Sequence, residues 1–124
     1  RQAILTGDQQ LLTLIVNNPD LYLARYKPNL TDDEKIRLGA YLVTFVRMRE
    51  SNWLQYRNGV LDEATWGSYR NSIVPFLDGP RSRSWWQKYV RDQKAFHPEF
   101  ISLVDALLAN APAQDQKFWL SAFD

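Results

Sequence analysis

Residues 31–59, TDDEKIRLGAYLVTFVRMRESNWLQYRNG, decide the fold. They open on Thr31-Asp32-Asp33-Glu34, a capping box in which a threonine hydroxyl and a glutamate three residues on satisfy each other's free backbone N–H groups. They close on Asn58-Gly59, where glycine supplies the left-handed residue that ends a helix. No proline falls between Pro28 and Pro75, so one helix of about 27 residues, roughly 40 Å long, fits between the two signals. Its apolar residues, from Ile36 through Tyr41, Phe45 and Trp53 to Tyr56, cover most of a helical wheel. That is the pattern of a central helix buried on several sides.

Helical spacing continues on both sides of this segment. Ile4, Leu5, Leu11, Leu12, Ile15 and Val16 form a first amphipathic stretch, stopped by Asn17-Asn18-Pro19, and Asn18 is placed to cap a short helix from Pro19 to about Tyr26. Beyond Gly59, Asp62 caps a helix carrying Trp66, Tyr69, Ile73, Phe76 and Leu77, which Pro75 must bend or shorten. After Asp78-Gly79-Pro80 another helix starts near Ser82 or Ser84 and carries Trp85, Trp86, Tyr89, Val90 and Phe96. His97-Pro98 separates it from a last helix with Phe100, Ile101, Val104, Leu107 and Leu108 on its stripe, closed by Asn110-Ala111-Pro112. Phe118, Trp119 and Phe123 are placed to dock a C-terminal tail. No alternating β-branched run and no two-residue hairpin turn appears. The expectation is a single all-α domain over residues 1–124, a helical bundle of about five helices around a long central one.

Composition narrows the chemistry. The chain has 124 residues, 45% hydrophobic and 14% aromatic with five tryptophans, and 15 basic against 14 acidic side chains. A core can form, and disordered and repeat classes are excluded. With no cysteine and one histidine, thiolate sites, disulfides and multi-histidine metal sites are excluded within one chain. The acidic runs Asp32-Asp33-Glu34 and Asp62-Glu63 sit at helix starts, where capping and the helix dipole account for them without an ion. No metal and no cofactor is expected. The apolar run Leu11–Val16 is far short of the roughly 20 residues that span a bilayer.

Near-neutrality conceals a local asymmetry. Residues 81–94 hold five basic side chains against one acid, a charge of +4 that leaves −3 over the rest. Arg81, Arg83, Lys88 and Arg91 interleaved with Trp85 and Trp86 make a candidate binding surface for a membrane interface or a single-stranded nucleic acid. We weigh that against the aromatics facing the core with the cations as a solvated rim, which fits the stripe Trp85-Tyr89-Phe96. Nucleic acid is accordingly not an expected partner.

Two further features invite chemistry. Glu50 is the only acid between Glu34 and Asp62 and falls about 20° from Arg57 and about 60° from Arg47 on the wheel. Glu50 and Arg57 therefore read as buried polar candidates forming an ion pair. Arg91 and His97 match the loose spacing of HEPN ribonucleases, helical domains in which an arginine and a histidine converge on a phosphate. On an unbroken helix the two stand about 120° apart, so convergence depends on a break at Pro98. The plainer role for His97 is a helix junction.

Trp53-Leu54-Gln55-Tyr56-Arg57-Asn58-Gly59, then Leu61-Asp62 and Trp66, then Trp85-Trp86 and Phe96-His97-Pro98-Glu99-Phe100, taken in that order, resemble a family of uncharacterised small bacterial proteins with an N-terminal membrane helix and a helical domain of unknown function. The resemblance spans the central half of the chain. It implies a membrane segment ahead of Arg1, an inner-membrane tether and this domain on the cytoplasmic side, and it transfers no catalytic residue. A related resemblance, to HEPN-like membrane accessory proteins of RNA-targeting CRISPR systems, would join the tether to Arg91 and His97. The expectation from the sequence is a non-enzymatic interaction or regulatory domain that binds a protein partner or itself through a helix face, with a HEPN-like ribonuclease and a surface at residues 81–94 as alternatives.

Overall fold

The computed structural model describes residues 7–77, 79–111 and 118–124, apart from the side chains of 118 and 119. Among the described residues the chain is all-α, without a strand. Its helices are α1 (Gly7–Asn17), α2 (Pro19–Leu23), α3 (Asp32–Arg57), α4 (Glu63–Asn71), α5 (Ile73–Phe76), α6 (Pro80–Trp85), α7 (Pro98–Ala109) and α8 (Phe118–Ser121), with a π-helical turn, Trp86–Arg91, continuing α6. Two compact units divide at Met48, and α3 contributes to both.

In the first unit, Thr31 and Glu34 make the expected reciprocal bonds. The Glu34 carboxylate accepts the Thr31 N–H at 3.0 Å, and the Thr31 hydroxyl accepts the Glu34 N–H at 3.1 Å. Lys27 Nζ lies 2.8 Å from the same carboxylate. That ammonium, together with the Thr31 N–H, pulls the Glu34 carboxyl down to about 2. Asn18 departs from expectation: it stands before α2, but its side-chain amide donates to the Leu14 carbonyl at 3.1 Å and makes no cap. The freed end of α1 competes for the same amide and wins. Residues 1–6, with Ile4 and Leu5, lie outside the described residues.

Leu38, Tyr41, Leu42, Phe45 and Val46 are buried and occupy an arc of about 140° on α3. Ile36, by contrast, is 72% exposed. Leu54, five helical turns later on the same side, is 37% exposed. The helix is therefore buried along one stripe and not on several sides. Beside that stripe Arg25 is buried, its guanidinium 4.5 Å from the Tyr22 ring centre and 5.6 Å from that of Tyr26. Burial pushes the Tyr41 hydroxyl up to about 12, with Arg25 pulling the other way.

The second unit begins with the end of α3. Gly59 takes φ +78°, its N–H donating to the Tyr56 carbonyl and the Val60 N–H to Gln55, the paired bonds of a Schellman stop. Asp62 caps α4 by accepting the Thr65 N–H at 2.7 Å, which lowers its carboxyl below the usual range. Pro75 divides the expected single helix into α4 and α5. It has no N–H for the Asn71 carbonyl, and its ring crowds that oxygen. Pro80 opens α6 instead of preceding it, because a proline suits the first helical position.

The helix begun at Pro80 does not reach Phe96. Lys94, at φ +52°, stops it with the bonds Lys94 N–H to Arg91 and Ala95 N–H to Val90, the same motif with lysine in glycine's place. Phe96 is buried on the following linker. Phe100 and Val104 of α7 are fully buried, each a side chain whose removal from water contributes about 1.5–3 kcal/mol. Phe123 stands 90% exposed and docks nothing. Phe118 and Trp119 lie among the side chains not described.

Candidate functional site

Of the residues marked by the sequence, Glu50, Arg57 and His97 meet at the start of α7, Trp86 and Arg91 reach its middle and Arg83 its end. At its start, three side chains of α3 spaced three and four apart face the His97-Pro98 junction. The Glu50 carboxylate, buried, accepts the His97 N–H at 2.7 Å. The Trp53 ring lies edge-on to the His97 imidazole at 5.0 Å and 5.7 Å from the Phe100 ring. Arg57 spreads over Trp53 at 4.9 Å and reaches Glu99 at 3.3 Å. The expected pair of Glu50 with Arg57 is thus not the pair that forms. Arg57 is exposed, and Glu99, at the start of α7, offers a carboxylate in water, where pairing costs no desolvation. Glu50 is buried as expected, its carboxylate taken by a backbone donor.

His97 stands at the N-cap of α7, its Nδ1 accepting the Glu99 N–H at 3.2 Å, with Pro98 in the first helical position. That bond assigns the proton of the neutral ring to Nε2. Arg91 is turned to other partners: its guanidinium meets the Asp105 carboxylate at 3.2 Å and the Gln87 side-chain oxygen at 2.8 Å. The break at Pro98 thus places His97 as a cap, while Arg91 is held by α7.

The basic-aromatic segment divides in two. Trp86 is 2% exposed and donates its indole N–H to Asp105 at 2.7 Å. One carboxylate on α7 thus receives both Trp86 and Arg91. Arg83 donates to the carbonyls of Leu108 at 2.8 Å and Ala111 at 2.6 Å, placing its charge at the negative end of α7. These three residues bind their own chain. What faces outward is Trp85 stacked on Tyr89, rings 5.5 Å apart and 11° from parallel, with Lys88 exposed between them in sequence and Arg81 half-buried.

On the neighbouring flank of the end of α3, Arg49 is buried. It donates to the Ser72 hydroxyl at 2.8 Å and the Asn52 side chain at 3.2 Å, and lies 4.9 Å over Tyr69. Tyr56 stacks on Trp66 at 5.8 Å. Asp105 and Arg49 were not among the sequence candidates. Asp105 carries a signal related to the one that marked Glu50, being the only charged side chain from Phe100 to Ala111. Arg49, among several arginines, carries none.

Among the described residues no group of three metal-ligating side chains forms, and no helix is long and apolar enough to cross a membrane. No family model, curated protein or solved structure matches this chain.

Proposed function

We propose that this chain is a non-catalytic helical interaction domain, acting through a helix face and without a cofactor. One observation carries it: the groups that could do chemistry are spent on the fold. Glu50 and His97 fix the start of α7, Asp105 collects Trp86 and Arg91, and Arg83 closes the other end. A general base needs a free lone pair within reach of a substrate, and the one basic nitrogen of neutral His97, Nδ1, already accepts a backbone N–H. Large apolar side chains meanwhile face solvent on α1, a feature that marks contact with other molecules.

Incubation of the purified chain with labelled RNA tests the reading. No cleavage is expected, and His97→Ala should lower the melting temperature while His97→Asn, which also caps a helix, preserves it. RNA cleavage that vanished in both variants without loss of stability would establish the HEPN-like alternative instead. The bacterial source and the membrane tether rest on the family resemblance alone. A tether of that kind would raise the local concentration of such domains.

A further inference from the structure

We infer that α1 is a self-association face that pairs with α1 of a second copy of this chain, an inference that rests on the interaction-domain reading. Of its five large apolar residues only Leu11 and Ile15 are buried, while Leu12, Leu14 and Val16 are 50%, 40% and 79% exposed. On the wheel these five span about 200°, twice the stripe a surface helix needs, and the described residues cover only the middle. Leu12 and Val16, four apart, form one uncovered flank. Leu14 lies on the other.

Charge selects the occupant. No ionisable side chain occurs between Asp8 and Asp20. A lipid-surface helix draws on lysine and arginine at its polar face, and nucleic-acid contact draws on them even more. Neither class of surface finds a cation here. The complement of an uncharged apolar ridge is another uncharged apolar ridge, and the chain itself carries one. Across a two-fold axis an antiparallel pair sets Leu12 of each copy against Val16 of the other, the reciprocal pattern of a symmetric dimer. Ridges spaced by four interlock in the commonest helix-packing class.

Size sets the strength. A three-turn helix about 16 Å long offers much less than the roughly 800 Å² per partner of a standard stable interface. The pairing is therefore weak and concentration-dependent.

Sedimentation velocity from about 10 µM to 1 mM tests it, the range in which weak contacts populate. The average mass of the full chain should climb toward that of a dimer. Leu12→Lys and Val16→Glu, both at exposed positions, should each stay monomeric with an unchanged helical spectrum and melting temperature. Mixing the two variants in equal amounts should restore association, because the opposite charges then face each other across the axis. A wild-type chain that stays monomeric overturns the inference, as do variants that associate as the wild type does. Binding of the wild type to phosphatidylcholine or anionic vesicles, lost in Val16→Glu, also overturns it by placing lipid on the same flank. RNA cleavage would overturn the non-catalytic reading and leave the sedimentation result standing, so the two failures are distinguishable.

Discussion

Asp105 offers the sharpest test of whether residues 81–94 are structural. Its carboxylate takes the indole N–H of Trp86 at 2.7 Å and the guanidinium of Arg91 at 3.2 Å. The two contacts differ in worth. Trp86 is 2% exposed, so deleting its acceptor strands a buried donor and costs about 1–3 kcal/mol. The Arg91 side chain is 47% exposed, so its share of the pair is screened and worth less than about 1 kcal/mol. Asp105→Ala should thus cost about 2–3 kcal/mol. At about 4 °C per kcal/mol for a chain of this length, the melting temperature falls by about 8–12 °C. Asp105→Asn retains an oxygen for the indole and gives up only the ion pair, so it should cost under about 1 kcal/mol. Urea unfolding followed by circular dichroism measures both, and a cycle with Trp86→Phe isolates the indole bond as a coupling of about 1–2 kcal/mol. Two results would refute this reasoning: Asp105→Ala as stable as the parent, or Asp105→Asn as damaging as Asp105→Ala.

Three further outcomes follow from the geometry. Lys94→Gly should stabilise the chain by about 0.5–1 kcal/mol in a urea melt, since glycine carries no side-chain penalty at positive φ, less its greater freedom when unfolded. Glu50→Ala should cost about 2 kcal/mol by taking the carboxylate from the His97 N–H, whereas Glu50→Gln, with an amide oxygen in place, should cost less. The Glu34 carboxyl is held down to about 2 by Lys27 and Thr31, so its contribution is complete above the ordinary glutamate range near 4.3. It is lost as the pH falls toward 2. Glu34→Gln should flatten that part of the acid-unfolding curve, and carboxyl NMR shifts of the parent should titrate at the same low pH.

Local features were legible because their partners lie a few residues away. Thr31 with Glu34, Asp62 with Thr65, and Gly59 at its turn all close within one helical turn. The burial of Glu50 was legible too, as the only acid between Glu34 and Asp62 in a mostly apolar helix. Its partner was not, because a backbone N–H at His97 leaves no trace in side-chain patterning. Arg57 was misassigned for a related reason. A wheel shows which residues share a face, and the acid that Arg57 reaches belongs to another helix. Lys94 gave no warning, since lysine is not a residue that signals a left-handed turn. The role of Asp105 needed the approach of α7 to Trp86, which spacing along either helix cannot supply.

The π-helical turn at residues 86–91 bears on how the chain tolerates changes in length. In an α-helix the loss of one residue swings everything beyond it by about 100° and carries a buried face out into water. A π-turn already contains the surplus that such a loss removes. Its inward residues, Trp86 and Val90, are separated by exposed Gln87, Lys88 and Tyr89. Omission of Lys88 would let the turn tighten toward α geometry while keeping both anchors on the inner side. Omission of one residue from the interior of α3 has no comparable slack, because its buried stripe runs at ordinary helical spacing. The same one-residue deletion is thus absorbed in one helix and disruptive in the other.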